Sequence, residues 1–210
     1  MIRIGLTGGI ATGKSTVAKQ FELMGVPRFD ADQAVHQLLH RSGAVQERVA
    51  QRFPEVFDNG QIQRKILGDI VFHDAEALHW LEQLLHPAVR RAEQAFERQC
   101  RRHGKAWFIA EIPLLFEVEA QDRFDLILMT SCAPWQQRAR AFARPSMTEE
   151  KYAHIVRRQM PTHEKRKRAH IDIRTGLGKA DALRQVKSVI YHLTQHMGMR
   201  KLTAGHAVTL

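Results

Sequence analysis

An eight-residue glycine-rich motif near the start of the sequence limits the possible folds more than any other feature. Residues 8–15 read GGIATGKS and match G-x-x-x-x-G-K-[ST], the phosphate-binding loop. The glycines let backbone N–H groups turn toward phosphate oxygens, and a helix that starts within the motif points its positive end at the same anion. The motif predicts a strand, loop and helix that bind a nucleotide, with Lys14 on the β- and γ-phosphates and the Ser15 hydroxyl on Mg²⁺.

The rest of the sequence alternates short apolar runs with helix-like stretches. Strands are expected at 2–6, 26–29, 106–110, 125–129 and 171–173, and helices at 14–24, 32–40, 135–143, 148–158 and 179–196. This alternation predicts an α/β fold of the P-loop kinase type, with a five-stranded, mainly parallel sheet flanked by helices.

The length of 210 residues fits one domain with insertions. We expect the core at about 1–34, 104–135 and 169–197, and a frayed tail at 198–210. The mostly helical stretch at 35–103 is too long for a simple crossover between strands. It predicts an inserted helical lobe that binds the acceptor substrate.

A phosphate loop indicates nucleotide binding but does not fix the reaction. A GTPase would also need a guanine-reading N-K-x-D motif, and the one asparagine of the chain, Asn59, is followed by Gly60. A large ATPase motor would need a longer chain. The class that remains favoured is a small-molecule kinase.

Three carboxylates follow predicted strands, at the sheet edge where parallel α/β folds bind their ligands. Asp30 and Asp32 follow the second strand. One of them could take the proton from an acceptor hydroxyl, and Asp32 could equally be the N-cap of the next helix. Glu111 ends the strand at 106–110 and is a candidate to support Mg²⁺ through its waters, or else a surface carboxylate.

The formal net charge is +10, and most of it lies in one stretch. Residues 136–168, here called the basic segment, contain ten lysines and arginines and three glutamates. Such a run is typical of a solvated helical face or of a surface that meets phosphorylated ligands or nucleic acid. The apolar runs are too short to cross a membrane, and two cysteines without a signal-peptide pattern indicate a cytoplasmic protein.

Several motifs together resemble the dephospho-coenzyme A kinase family over about residues 2–195. They are GLTGGI and GKSTVA around the phosphate loop, D-A-D at 30–32, L-H-P at 85–87, P-L-L-F-E at 113–117 and TGLG at 175–178. The resemblance implies transfer of phosphate from ATP to the 3′-hydroxyl of dephospho-coenzyme A, the last step of coenzyme A synthesis. It implies Mg²⁺ as cofactor, and neither nucleic acid nor membrane as partner.

The resemblance also implies residue roles. It assigns the base to Asp32, acceptor contacts to Arg64 and His86, and a lid to the basic segment. Two lid arginines, Arg140 and Arg144, are four residues apart and are expected on one helical face, with Arg140 as the first choice for the transferring phosphoryl. ATP binding is assigned to six consecutive residues, Ala11, Thr12, Gly13, Lys14, Ser15 and Thr16.

The sequence differs from the family pattern at several positions. Glu111 stands where Asp is common, and Pro145-Ser146 follows Arg144 where Asp or Asn is usual. The remaining differences are Gln63 before Arg64, and His170 and Arg174 in the late segment that lies near the adenine in the family.

Two other functions stay open. A kinase of another small hydroxyl-bearing acceptor would release ADP with that acceptor instead. A non-catalytic nucleotide-binding regulator would use the basic segment to hold nucleic acid, with steep salt dependence and no turnover. The sequence gives no indication of the oligomeric state.

Overall fold

The computed structural model describes residues 1–41, 43–145 and 147–195, so the tail expected at 198–210 lies outside the described residues. In chain order the elements are β1 (Ile2–Gly8), α1 (Lys14–Leu23), β2 (Arg28–Asp30), α2 (Ala31–Arg41), α3 (Gly43–Arg52), a 3₁₀ turn (Pro54–Val56), β3 (Phe57–Asp58), β4 (Gln61–Ile62), α4 (Arg64–His73), α5 (Ala75–Arg102), β5 (Trp107–Glu111), a 3₁₀ turn (Gln121–Arg123), β6 (Leu126–Ser131), α6 (Pro134–Phe142), α7 (Glu149–Arg158), α8 (Thr162–Arg168), β7 (Ile171–Arg174) and α9 (Lys179–Gln195).

The predicted five-stranded sheet is confirmed. Its strand order is β2-β5-β1-β6-β7, and β1 pairs in parallel with both β5 and β6, as β6 does with β7. β6 is buried along its whole length, as expected for a parallel strand covered on both faces. Because β1 is central, the phosphate loop leaves the middle of the carboxyl edge of the sheet.

The chain divides into two compact units, and the larger contains the sheet. It comprises Met1–Phe29 and the described residues from Cys100 onward. Its main core lies between the sheet and helices α1 and α9, where Ile4 and Leu128 of the strands and Phe21 of α1 are almost completely buried. This apolar packing holds the first turn of α1 against the end of β1, and so fixes the phosphate loop.

The second unit, Asp30–Gln99, has a core of its own. Apolar side chains from α2 to α5 and from the short hairpin β3–β4 pack together, and the Phe53 ring meets the Trp80 ring edge-on at 5.5 Å. The sequence indicated a mostly helical stretch here, and in the structure this stretch has a break between α3 and α4. The break contains the antiparallel hairpin, whose turn residues Asn59 and Gly60 both have positive φ.

Two local predictions were incomplete. The second strand begins at Arg28, two residues later than expected, and α8 was not predicted at all. The sequence of α8, THEKRKR, shows no apolar face from which a helix could be inferred. The residue that α8 buries is Lys165, which is 1% exposed.

Candidate active site

The phosphate loop has the backbone geometry that its sequence predicts. Gly13 lies at φ 94° and Ala11 at φ 57°, both in the left-handed region. At Gly8 a Cβ atom would collide with the Thr130 hydroxyl of β6, which hydrogen-bonds the Thr12 hydroxyl at 2.8 Å. The loop is therefore held tightly against the neighbouring strand, and glycine is required where it turns.

Helix α1 begins directly at the end of this loop. Gly13 is its N-cap, Lys14 its first residue, and the first turn contains no acidic side chain. Its positive end therefore has no intrahelical carboxylate to compensate it, which favours a phosphate at this position. The backbone of residues 11–16 surrounds the point where the phosphates are predicted to bind.

Glu111, at the end of β5, is the centre of a hydrogen-bonded network beside the loop. Its Oε1 accepts hydrogen bonds from Lys14 Nζ at 2.7 Å and from Ser15 Oγ at 2.6 Å. Its Oε2 accepts from Arg28 Nε at 3.1 Å and Nη2 at 2.7 Å. The strand register explains the placement, since Glu111 pairs with Leu6 close to where β1 enters the loop.

The network keeps Glu111 ionised although it is only 2% exposed. Burial alone raises the pKa of this carboxyl. The charge of Lys14 and the hydrogen bonds from Lys14, Ser15 and Arg28 outweigh burial, so the pKa lies below its usual value. The alternative of an ordinary surface carboxylate at Glu111 is therefore wrong.

The side chains at this position suit Mg²⁺. Ser15 Oγ and the Glu111 carboxylate are adjacent oxygen ligands, the type that this ion prefers. No cluster of three or more His, Cys, Asp or Glu side chains occurs in the described part of the chain. An Mg²⁺ ion here would therefore have to be held mainly by nucleotide phosphates and water.

Arg28 was missed in the sequence analysis. The available signal was one basic residue inside the otherwise apolar run 26–29. Its side chain is 13% exposed, and its guanidinium fixes one oxygen of Glu111 while Lys14 and Ser15 share the other. If Lys14 moves to a phosphate, Glu111 keeps Arg28 as a buried counter-ion.

We predict that Arg28→Met lowers the free energy of unfolding by about 1–3 kcal/mol, because a hydrogen-bonded buried charge loses a partner. It should also raise KM for ATP about tenfold, since Glu111 then binds Lys14 more tightly and holds it away from the nucleotide. Urea unfolding and steady-state kinetics measure both effects.

Arg3→Met provides the matched control. Arg3 also donates from Nε and Nη2 to a carboxylate, one donor to each oxygen of Asp125, but these side chains are 30% and 22% exposed. Its loss should cost less than about 1 kcal/mol and leave KM for ATP unchanged. Equal effects of the two substitutions would contradict a special role for Arg28.

Helix α6 contacts the phosphate loop through Thr175, which follows β7. Arg140 donates from Nη1 to Thr175 Oγ1 at 3.0 Å and from Nη2 to Thr175 O at 2.9 Å. Thr175 Oγ1 in turn donates to Thr12 O at 2.6 Å. Thr175, the first residue of the TGLG motif at 175–178, thus connects the Arg140 guanidinium to the backbone of the phosphate loop.

Arg144 does not lie beside Arg140 on helix α6. Helix α6 ends at Phe142, so Arg144 lies in the following turn and is exposed. The expectation that Arg140 and Arg144 share one helical face is therefore wrong, because the helix ends before the second residue. Pro145 follows Arg144 directly, and Ser146 lies outside the described residues.

One cation of the basic segment, Lys165, is used inside the protein. Lys165 Nζ lies 2.8 Å from Glu117 Oε1, a contact at which Lys165 is 1% exposed. Other cations of the segment pair at or near the surface, namely Arg138 with Glu149, Arg166 with Asp172 and Lys167 with Glu164. The prediction of a solvated face thus describes most of the segment, and Lys165 is the exception: seven of the segment's ten cations are exposed, namely Arg138, Arg144, Arg157, Arg158, Arg166, Lys167 and Arg168.

Helix α7 also contacts the phosphate loop, a feature that the sequence analysis missed. Gln159, just after α7, accepts a hydrogen bond from Ile10 N at 2.8 Å through its Oε1. Ile10 and Ala11 form a small apolar cluster with Ala141, against which Tyr152 and Ile155 pack. The basic segment thus lies directly against the loop.

In the second unit, Asp30 caps helix α2. Its Oδ1 accepts a hydrogen bond from Gln33 N at 3.0 Å, which is the N-cap contact. Asp32 is the second residue of α2 and is exposed. The cap that sequence reasoning considered for Asp32 therefore belongs to Asp30, because the helix begins one residue earlier than expected.

The remaining predicted positions lie on defined elements. Arg64 is the first residue of α4 and is exposed, and Gln63 before it is the N-cap. His86 is exposed on α5, next to Pro87. In the larger unit, His170 accepts a hydrogen bond from Ile127 N at 3.0 Å and Arg174 is exposed at the end of β7.

A phosphate loop after the central strand of a parallel sheet, with an acidic residue at the end of the adjacent strand, is the arrangement of a P-loop nucleotide-binding protein, and P-loop kinases have this fold. The solved shikimate kinase of Acinetobacter baumannii, in complex with shikimate, shares this fold with a TM-score of 0.50 and 15% identity, over 95% of this chain and 96% of that one. The family model described as dephospho-CoA kinase matches residues 2–178. The chain belongs to the dephospho-CoA kinase family.

Individual relatives agree with this assignment. A dephospho-CoA kinase from Agrobacterium fabrum is 42% identical over 193 residues, which cover 92% of this chain and 98% of that protein. The solved dephospho-CoA kinase from Campylobacter jejuni is 26% identical with a TM-score of 0.69, over 92% of this chain and 97% of that one.

Proposed function

We propose that this chain transfers the γ-phosphoryl group of ATP to the 3′-hydroxyl of dephospho-coenzyme A, giving coenzyme A and ADP. The observation that supports the proposal most is the Lys14–Ser15–Glu111 network at the phosphate loop, in a chain that the family model matches over residues 2–178. Positive and metal-binding groups are gathered where a triphosphate would be held.

Nucleotide binding changes the partner of Lys14 in the proposed reaction. Its ammonium leaves Glu111 for the β- and γ-phosphate oxygens, and Arg28 keeps Glu111 ionised. Ser15 and Glu111 would then hold Mg²⁺, directly and through water respectively, and the ion would neutralise charge on the phosphates. The backbone N–H groups of residues 11–16 bind the phosphate oxygens.

Asp32 is the proposed general base. It takes the proton of the 3′-hydroxyl as the oxygen attacks phosphorus. It is exposed as the second residue of α2, where a substrate hydroxyl can reach its carboxylate. Arg64 and His86 are proposed to contact the same acceptor.

Arg140 is proposed to stabilise charge on the transferring phosphoryl, and the basic segment to act as a lid over it. We predict that Arg140→Ala lowers kcat by a factor on the order of 10²–10³, the loss found when one preorganised donor is removed. Binding of ATP should change much less, as measured by calorimetry beside steady-state kinetics.

Arg144→Ala is the control, because it removes the same charge from an exposed turn of the same segment. It should change kcat by less than the Arg140 substitution. If Arg140→Ala retains turnover but loses binding to DNA or RNA, the lid role is wrong and the regulator is favoured.

In the basic segment Lys165 is buried and Arg140 points to Thr175, while seven other cations are exposed, so its charge alone does not decide between partners. The match of the dephospho-CoA kinase family model over residues 2–178 favours small phosphorylated substrates over nucleic acid. We therefore propose no nucleic-acid partner. No helix in the described ranges is long and apolar enough to cross a membrane. Cys100 and Cys132 are not in a disulfide, which suits the cytoplasm.

One assay tests the proposed function. The purified protein is incubated with ATP, Mg²⁺ and dephospho-coenzyme A, and the product is identified by mass and by the position of its new phosphate. Coenzyme A phosphorylated on the 3′-oxygen is expected. ADP release with another hydroxyl acceptor but not with this one would instead support a kinase of different specificity.

A further inference from the structure

The second unit contains a cavity that the roles assigned so far do not use. Its volume is about 400 Å³, and it lies between helix α2 and the hairpin residue Gln61. The lining residues are Gln33, His36, Gln37, His40, Arg41 and Gln61. The rings of His36 and His40 stack inside this set, with their centroids 4.4 Å apart.

The side chains that line the cavity carry many hydrogen-bond donors and no carboxylate. All six side chains carry nitrogen groups that donate hydrogen bonds, and none is a carboxylate. Arg41 adds a permanent positive charge and a planar fork of donors that matches phosphate oxygens. Amide, imidazole and guanidinium donors around one cavity suit an anion with several oxygens.

The position of the cavity connects it to the proposed base. Asp32, His36 and His40 follow one another at intervals of four residues on α2, and such residues lie on one face of a helix. Each interval advances about 6 Å along the axis. A ligand whose hydroxyl reaches Asp32 would therefore extend toward the two histidines.

We propose that this cavity binds the diphosphate group of the acceptor. The inference rests on the proposed function, because the acceptor must place a ribose 3′-hydroxyl at Asp32. The diphosphate is attached to the 5′-carbon of the same ribose, a few bonds from the 3′-oxygen. An acceptor along α2 thus places its negative charges over His36, His40 and Arg41.

A plain solvated helix face is the competing explanation, and the composition of the cavity argues against it. Charged residues on exposed helices usually occur with both signs. The cavity itself is lined by no carboxylate, and the acid on the same face of α2 is Asp32, the proposed base. Gln33 and Gln37 add amide donors to the imidazole and guanidinium groups, a combination that suits phosphate oxygens.

The test compares the double variant His36→Ala/Arg41→Ala with Arg48→Ala. All three positions are exposed, and Arg48 lies on α3 outside the cavity, so it controls for general attraction of anions by positive charge. Calorimetry measures binding of dephospho-coenzyme A without ATP, and steady-state kinetics measures KM for both substrates. Thermal unfolding checks that each variant is folded.

We expect the double variant to weaken dephospho-coenzyme A binding tenfold or more and to raise its KM equally, with kcat and KM for ATP within twofold of wild type. Arg48→Ala should resemble wild type. Titration with pantetheine, which has no phosphate, should not distinguish the double variant from wild type.

Wild-type affinity in the double variant, or equal weakening in both variants, would overturn the proposed diphosphate site. So would an equal loss of pantetheine binding, because the lost contact would then not be to phosphate. If wild-type protein makes no coenzyme A at all, the proposed function itself fails. If every variant shows normal turnover and an unaltered KM, the proposed diphosphate site is contradicted and the proposed function is not.

Discussion

Replacing Lys14 by alanine should lower kcat by a factor on the order of 10³–10⁵, the scale for removing a cation from the transferring phosphoryl group. The phosphate-loop motif assigns this ammonium to the β- and γ-oxygens, so it has to leave Glu111 when the nucleotide binds. The protein should remain folded, because Glu111 keeps its hydrogen bonds from Ser15 and Arg28. Circular dichroism and product formation measure the two effects.

Arg28→Met is the informative comparison for Lys14→Ala. Both substitutions take one cation from Glu111, so both should cost about 1–3 kcal/mol of unfolding free energy. Only the loss of Lys14 removes a phosphate contact. Similar kcat values in the two variants would show that Lys14 acts on stability alone and would exclude the phosphate-loop mechanism.

Replacing Asp32 by asparagine should lower kcat by a factor on the order of 10²–10⁴, the usual contribution of a general base. Asparagine has nearly the same shape but cannot accept the hydroxyl proton. Because Asp30 caps α2, this substitution leaves the N-cap contact in place. Binding of both substrates by calorimetry should change far less than turnover.

Asp30→Asn separates the two carboxylates. Asparagine caps a helix about as well as aspartate, so α2 should keep its stability. If Asp32 is the base, Asp30→Asn retains turnover within a few-fold. The opposite result, an inactive Asp30→Asn beside an active Asp32→Asn, would move the base to Asp30.

The phosphate loop and the sheet could be predicted because their determinants are local. Glycines are needed where the loop turns or approaches Thr130, and the strands β5 and β6 on either side of β1 are mainly apolar runs. The turn of the hairpin β3–β4 could also have been predicted, because Asn59-Gly60 is a strong turn signal. The strands on either side are only two residues long, so they could not be predicted in the same way.

The network around Glu111 could be predicted only in part. Ser15 and Lys14 belong to a motif, and Glu111 ends a predicted strand, but Arg28 lies 83 residues from Glu111 in the sequence and nothing local indicates that the two pair. The burial of Lys165 could be predicted even less from the sequence. A lysine inside THEKRKR indicates an exposed helix, and its burial depends on Glu117, which is 48 positions away in the chain.

The exact ends of helices decided two site assignments. Asp32 and Arg144 each fall within two residues of a boundary, where sequence signals are least reliable. A start one residue earlier gave the capping contact to Asp30. An end at Phe142 removed Arg144 from the face of Arg140.

The buried contact between Lys165 and Glu117 restricts how nucleotide could enter and leave. Glu117 also accepts a hydrogen bond from Met160 N at 2.7 Å, so the chain from Met160 to Arg168 is tied to the core. If the basic segment is the proposed lid, the part of it that moves must lie before Met160. That part is held by the Gln159–Ile10 and Arg140–Thr175 hydrogen bonds and by a small apolar cluster, and breaking such local contacts requires far less free energy than unfolding. In this proposal, ADP is exchanged for ATP by a local motion, while the sheet and the network at Glu111 stay intact.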